Sequence, residues 1–327
     1  MICLRKIRQN TKDFRYEYEF CCGVASNIED QEKYTFEQML TNVMFALAQS
    51  KEASSENICF FDEEVHKKKE FENFIESNMQ QALDSQCFEM VLQPKMNLQT
   101  NSVIAAEALV RWRLEDGTYL PPSSFVDIFE KNRFCSKLDF YMLKKAIQQI
   151  RKWIDMGINP VNISVNQSKI VFYHENYISE LKSLLEEYNV SGSYITLEVL
   201  ESTVIEDIDI FNSILTEVKK LGFSVSLDDF GSGYSSLNVL SKLQIDELKI
   251  ERIFLHTKSE VDNQRTKWIL ESIIDIAKKS QILVVVEGVE SKQDDLFIKN
   301  LGADVGQGYF YGRPLSISAF NDLIETK

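Results

Sequence analysis

With 327 residues the chain can hold about two domains, or one α/β barrel with an appended segment. Its 44% hydrophobic content is ordinary for a soluble globular protein, and no apolar run reaches the length of a membrane span; the longest, ILVVV at 282–286, is strand-sized. A net charge of −14 argues against a general nucleic-acid binder, which carries a basic stripe, and admits a small anionic ligand only with a local counter-charge, for which a divalent metal is the economical candidate.

The N-terminal MICLRKIRQN has no long apolar segment, so no signal peptide is evident and a cytoplasmic location is expected. YEYEFCCGVA (16–25) reads as a strand, TFEQMLTNVMFALAQSK (35–51) as a helix and NICFFD (57–62) as a short strand. Between 63 and 83, apolar residues at Phe71, Phe74, Ile75, Met79 and Ala82 fall on one helical face, which predicts a connecting helix with the domain boundary nearby. FEMVLQPKMNL and SVIAAEALVRW flank the turn-type QTN and predict a hairpin. Leu138, Met142, Ala146, Ile147, Ile150 and Ile154 mark one face of a helix over 138–154. Strands then alternate with helical stretches: VNISVN (161–166), YITLEVL (194–200), SVSLDDF (224–230), ELKIERIF (247–254), ILVVVEGV (282–289) and ADVGQGY (303–309). With the hairpin that makes about eight strands in about 240 residues, the size of a (β/α)8 barrel, and the hairpin requires one strand to run antiparallel to the rest. A doubly wound open sheet is the alternative. Across the chain six cysteines form no CxxC pair and show no zinc-ligand spacing, and the three histidines, His66, His174 and His256, are too scattered for a histidine-rich metal site.

Barrel enzymes work at the C-terminal ends of their strands. Glu107, Asn166, Glu198, Asp228, Asp229, Glu287 and Gln307 all fall at or near such ends, and ELKIE adds Lys249 and Glu251. One acid in a strand is explained by a core ion pair; the same pattern on six strands points to a shared polar site. Oxygen-rich ligation without sulfur favours Mg²⁺ or Mn²⁺, and clustered carboxylates need such a cation to offset their repulsion. The adjacent aspartates suggest two ions, with Asp228 bridging both and Asp229 binding one. A pair of metals suits in-line displacement at phosphorus. Lys249 alternates with Leu248 and Ile250, so it should face the barrel interior, where it could orient an attacking water. GSGYS at 231–235 lacks both the central serine and the histidine partner of a nucleophile elbow. The two aspartates sit side by side where neighbours in a strand should face opposite ways; the glycines of GSG suggest that the strand ends there and frees Asp229 to turn to the same rim.

In the same order, these motifs resemble those of the EAL-domain phosphodiesterases, which hydrolyse cyclic di-GMP to linear pGpG. The resemblance covers about residues 84–320: Glu107-Ala108-Leu109 extended by Val110-Arg111, then VNQS, LEVLES, DDFGSGYSSL, LKIE, VEGVE and QGYFYGRPL. It implies a TIM-like barrel with one antiparallel strand. It also implies Glu107, Asn166, Glu198 and Asp228 as ligands of a first metal, and Asp228, Asp229 and, less directly, Glu287 at a second. Lys249 resembles the lysine that holds the nucleophilic water, Gln307 the glutamine beside it, and Arg111 the arginine that grips a substrate phosphate. Gln93 in LQPK is expected to touch a guanine, and Glu201 to anchor the loop after DDFG. A homodimer through the surface near that loop is a further implication. Residues 1–62 resemble, more weakly, the C-terminal part of a GGDEF domain without its signature loop, and therefore without cyclase activity. The expected organisation is this fragment, a connecting helix over 63–83 and an EAL domain over 84–327.

Three departures from the family pattern stand out. LEVLE replaces the usual LEITE, so Leu200 takes the place of a threonine; KIE replaces KID, so Glu251 takes the place of an aspartate; Ser232 stands where threonine is common. The leading expectation is a two-metal cyclic di-GMP phosphodiesterase. A non-catalytic cyclic di-GMP receptor, motivated by Leu200 and Glu251, is the alternative, and a metal-dependent barrel lyase using Lys249 ranks third.

Overall fold

A computed structural model describes residues 6–10, 15–26, 34–52, 57–201, 208–231, 240, 242–252, 255 and 260–325. The chain divides into two compact units, Met1–Asn78 and Met79–Lys327. In the first, β1 (Lys6–Asn10) pairs antiparallel with β2 (Arg15–Glu19), and β3 (Cys22–Val24) pairs parallel with β4 (Ile58–Phe60) across the helix Phe36–Glu52. The run that the sequence reads as one strand over 16–25 is therefore two, broken at Phe20–Cys21, and β1 was not foreseen. A side chain on Gly23 would meet the backbone of Leu47 and Val43 at 2.3 and 2.4 Å, so the glycine lets this helix lie directly on β3. The helix Glu63–Asp84 follows.

The second unit is a closed barrel. Its strands are β5 (Phe88–Asn97), β6 (Ser102–Arg113), β8 (Asn162–Gln167), β9 (Ile195–Leu200), β10 (Ser224–Phe230), β11 (Glu247–Ile250), β12 (Leu283–Val286) and β13 (Val305–Gln307). They follow the order β5-β13-β12-β11-β10-β9-β8-β6, and β5 pairs with β6 to close the ring. β5 is antiparallel to both its neighbours and every other neighbouring pair in the ring is parallel, as the hairpin required. A two-residue strand, β7 (Tyr119–Leu120), extends the sheet beside β6. The hairpin turns where Asn97 accepts the backbone N–H groups of Gln99 and Thr100, both at 2.9 Å, and Asn101 takes the left-handed conformation that asparagine tolerates.

The helix expected over 138–154 runs from Cys135 to Asp155. Leu138, Met142, Ala146, Ile147 and Ile150 are buried as the spacing predicts, and Trp153 rather than Ile154 completes the buried face, its Nε1 donating to Asn321 Oδ1 at 2.7 Å. Three strands stop earlier than their apolar runs suggest: β11 at Ile250, β12 at Val286 and β13 at Gln307. Glu287 therefore lies on a loop just past β12, where Gly288 has φ +67°. Among the described residues no helix is long and apolar enough to cross a membrane.

The rim end of the hairpin stands on an aromatic cluster of Phe88, Trp112, Phe125 and Phe129, with ring centroids 5.0 to 6.0 Å apart. Phe88 is 1% exposed at its centre. Phe88→Ala should lower stability by about 3–5 kcal/mol, because the emptied volume is walled by rings that cannot collapse into it. The midpoint of urea unfolding, followed by circular dichroism, checks this.

Candidate active site

Strand alternation sends every second side chain into the barrel, and the inward positions nearest the rim carry the polar residues. Lys249 on β11, 1% exposed, lies at their centre. Its ammonium is 2.8 Å from Glu198 Oε2, 2.9 Å from Asp228 Oδ2, 2.7 Å from Glu287 Oε1 and 3.6 Å from Glu107 Oε2. These partners sit on β9, β10, the loop past β12, and β6, so Lys249 does point inward. Beside it runs a hydrogen-bonded chain over four strands: Asn166 Nδ2 donates to Glu107 Oε1 at 3.1 Å, and Gln307 Nε2 donates to Glu107 Oε2 and, at 3.4 Å, to Gln93 Oε1. Gln307 Oε1 is buried and finds no partner among the described residues.

The adjacent aspartates are resolved differently from the sequence expectation. β10 does not stop at Asp228; it continues to Phe230, with an irregular register against β11 between Leu227 and Phe230. The turn is made by Asp229 itself, at φ +56°, a left-handed conformation that aspartate adopts at modest cost. Its backbone N–H donates to Asp228 Oδ1 at 2.8 Å. That single reversal puts both carboxylates on one rim: oxygens of Asp228, Asp229 and Glu287 lie within 4.8 Å of one another. Glycine is required elsewhere, at Gly308, where a side chain would strike the Val289 carbonyl oxygen at 2.2 Å and displace the turn that follows Gln307.

Burial sets the electrostatics. It pushes the carboxyls of Glu107 and Asp228 up, against the pull of Lys249. Asp229 is raised by burial and then by the Glu251 carboxylate. Glu287 is pushed up to about 8 by burial, with Lys249 opposing. Glu198 alone goes the other way: burial would raise it, but Lys249 and Lys95 outweigh that and bring it down. Burial would lower Lys249, yet the surrounding carboxylates hold it well above the usual lysine range. Four of these five carboxylates, Glu107, Asp228, Asp229 and Glu287, thus resist ionisation in place. Added positive charge would relieve them, and an all-oxygen donor set without sulfur or imidazole fits hard divalent cations. The convergent oxygens of Asp228, Asp229 and Glu287 are one place for such an ion; Glu107, Asn166, Glu198 and Asp228 offer donors for another.

Two cavities meet at the aspartates. One, of about 320 Å³, is lined by Lys249, Glu251, Arg252, Glu287, Gln307 and Tyr309, among others. The second, of about 400 Å³, is more apolar and includes Leu109, Phe129, Met142, Val165 and Leu200. Asp228 and Asp229 border both. Two of the sequence-derived candidates stand apart from the cluster. Arg111 turns Nη1 onto the Val110 carbonyl at 2.7 Å. Glu201 is buried just past β9, and the loop it was expected to anchor, 232–239, lies outside the described residues.

Sequence reasoning passed over several residues. Lys95, Ser164 and Glu247 lie two positions from Gln93, Asn166 and Lys249, so period-two alternation alone would have placed them on the same inward faces. Asp139, at the second cavity, accepts the Ser168 backbone N–H at 2.7 Å and is pushed up to about 7 by burial; it sits on a helix, where strand-end reasoning does not look.

The chain is similar to proteins of known kind over nearly its whole length. It is 28% identical over 312 residues, 95% of this chain, to the bifunctional diguanylate cyclase/cyclic di-GMP phosphodiesterase MucR of Pseudomonas aeruginosa. It is 32% identical over 88% of this chain to the cyclic di-GMP phosphodiesterase NbdA of the same organism. The chain spans only 45% and 36% of those relatives' lengths. A solved structure described as PaMucR phosphodiesterase in complex with c-di-GMP superposes with a TM-score of 0.69 at 31% identity, over 75% of this chain and 99% of that one. The EAL domain family matches residues 76–314, a span that takes in every barrel strand and both cavities, and the chain belongs to that family.

Proposed function

We propose that this chain hydrolyses cyclic di-GMP to linear pGpG with the help of two divalent cations, Mg²⁺ or Mn²⁺. The observation that carries the reading is Lys249, a buried ammonium held among four carboxylates, beside the converging oxygens of Asp228, Asp229 and Glu287. The relatives named for cyclic di-GMP phosphodiesterase activity and the similar structure with c-di-GMP bound support the choice of substrate. So does the shape: a cavity on each side of the aspartates suits a ligand with a phosphodiester at its middle and a base at each end.

In this reading Glu107, Asn166, Glu198 and Asp228 hold one cation, and Asp228, Asp229 and Glu287 hold the second. Bound divalent cations lower the pKa of a water and stabilise charge on phosphoryl oxygens. The chain's own residues do the rest. Gln307 Oε1, buried and without a partner among the described residues, accepts a hydrogen bond from the attacking water and orients it. Lys249 keeps its proton at Nζ, because its carboxylates stabilise the charged form, and offers that charge to the oxygens of the reacting phosphate. Arg111 at the end of β6 takes a substrate phosphate once its guanidinium leaves the Val110 carbonyl, and Gln93 contacts a guanine. Asp139 serves as acceptor for base N–H groups in the second cavity. We also read residues 1–62 as a partial GGDEF-like unit, since they fall largely within the 95% of the chain aligned with MucR, and the EAL domain as a homodimer through the surface near Asp228 and Asp229.

Purified protein incubated with cyclic di-GMP and Mg²⁺ or Mn²⁺ should yield pGpG by chromatography. Asp228→Asn and Lys249→Met should each slow product formation by roughly 10²–10³-fold or more while circular dichroism stays unchanged. Binding without turnover in the unaltered protein would instead assign a receptor, with Glu251 beside Asp229 as the suspected cause.

Ionised Asp139 accepts base donors better than the neutral acid, and its charged fraction grows as pH rises through about 7. Glu287 also gains charge toward pH 8, so the measure is a comparison: the ratio of cyclic di-GMP affinities at pH 8 and pH 6, taken calorimetrically without divalent cation, should be higher in the unaltered chain than in Asp139→Asn.

A further inference from the structure

Beneath the cluster lies a second buried lysine. β5 runs opposite to the other strands, so Lys95, two residues after Gln93, sits one layer deeper in the barrel. Ser164 and Glu247, two residues before Asn166 and Lys249, lie in that same deeper layer. Lys95 is 0% exposed, and its ammonium donates to Ser164 Oγ at 2.7 Å, Glu198 Oε1 at 2.8 Å and Glu247 Oε1 at 2.8 Å. An ammonium has three N–H donors, and all three are used. Glu198 is thereby held at both oxygens: Oε1 from below by Lys95, Oε2 from the rim side by Lys249.

We propose that Lys95 is a positioning residue for cation binding, holding Glu198 by Oε1 so that only Oε2 faces the rim, with Glu247 as its counter-charge. The inference rests on the reading of Glu198 as a cation ligand. Its physical basis is that a carboxylate tethered through one oxygen presents a single donor in a fixed direction. An untethered one rotates about its terminal torsion and binds in several ways, which weakens a site that needs defined geometry. Glu247 matters because without it two ammonium groups, Lys95 and Lys249, would compete for the single Glu198 carboxylate. The second acid, close to the first-layer Lys249 along β11 but bonded to Lys95, balances the deeper lysine independently of the rim.

Removing Lys95 alone would strand two buried acids, so the decisive variant removes the pair together. Calorimetric titration of Mn²⁺ into the full chain, without substrate, should show Lys95→Met/Glu247→Leu binding 10–100-fold more weakly, roughly the range for loss of a ligand's supporting contact. Its thermal unfolding should stay cooperative. Glu247→Gln, which leaves Lys95 on Glu198, should lose less than the roughly 10-fold that marks a missing supporting contact. Should the double variant not fold, Lys95→Gln, which keeps a donor but shortens its reach, must weaken Mn²⁺ in the same direction. A folded double variant, or Lys95→Gln, with unaltered Mn²⁺ affinity overturns the proposal. If the unaltered chain itself takes up no Mn²⁺, the cation reading of the site fails first and this inference with it, an outcome distinct from a difference lost between variants.

Discussion

The structure depends on one electrostatic constraint: several carboxylates share a barrel interior that cannot hydrate them. Burial raises a carboxylate's pKa, as it raises that of Glu287 to about 8 even with the Lys249 ammonium 2.7 Å away. Lys249 prevents the whole cluster from neutralising, because one ammonium lies within 3.6 Å of four acids from four different segments. Lys95 repeats the arrangement a layer below, where Glu198 and Glu247 meet it away from the rim. The site is thus two stacked ion clusters joined by Glu198, the acid whose pKa is lowered. That joint gives the cluster its chemical asymmetry: the two lysines favour the charged form of Glu198, while burial opposes ionisation of Glu107, Asp228, Asp229 and Glu287.

The geometry of that cluster is a property of barrel closure. Its bonded partners come from distant parts of the chain; Lys95 and Glu247 are separated by 152 positions and bond directly. β5 makes this so. By pairing antiparallel with β6 and β13 it closes the ring, setting Gln93 opposite Glu107 and Lys95 one layer below. The aromatic cluster under the hairpin and the tight turn at Gly308 hold the two ends of this arrangement, at Phe88 and at Gln307. Local backbone detail then finishes the site: the left-handed Asp229 converts two strand neighbours, which ought to diverge, into a pair on one rim.

Much of this was legible in the residues. Acids recurring near strand ends identified the rim, and alternation of Lys249 with Leu248 and Ile250 assigned the lysine to the interior. Strand ends were read less well where an apolar run outlasts its ladder, as at Glu287, since hydrophobicity continues past the last paired residue. The deeper layer went unread because a lysine and a glutamate in a strand look like surface residues. Their two-residue spacing from Gln93 and Lys249 pointed them inward, but only the closed barrel shows what they meet there; Asp139 was missed because it lies on a helix rather than at a strand end.

Alternation by itself identified the strands and an acid-rich rim but left a barrel and a doubly wound sheet both open; the motifs in order, through the family they resemble, pointed to the barrel with one reversed strand, since these signals depend on local periodicity and residue type. Tertiary structure alone decided which charges meet. Pairing across a closed sheet is set by register and curvature summed over eight strands, and side-chain direction at Asp229 by a single backbone angle; neither is written in any short stretch of chain. The same holds for Glu198, an ordinary strand acid in sequence, which only the closed barrel makes the shared anion of two lysines.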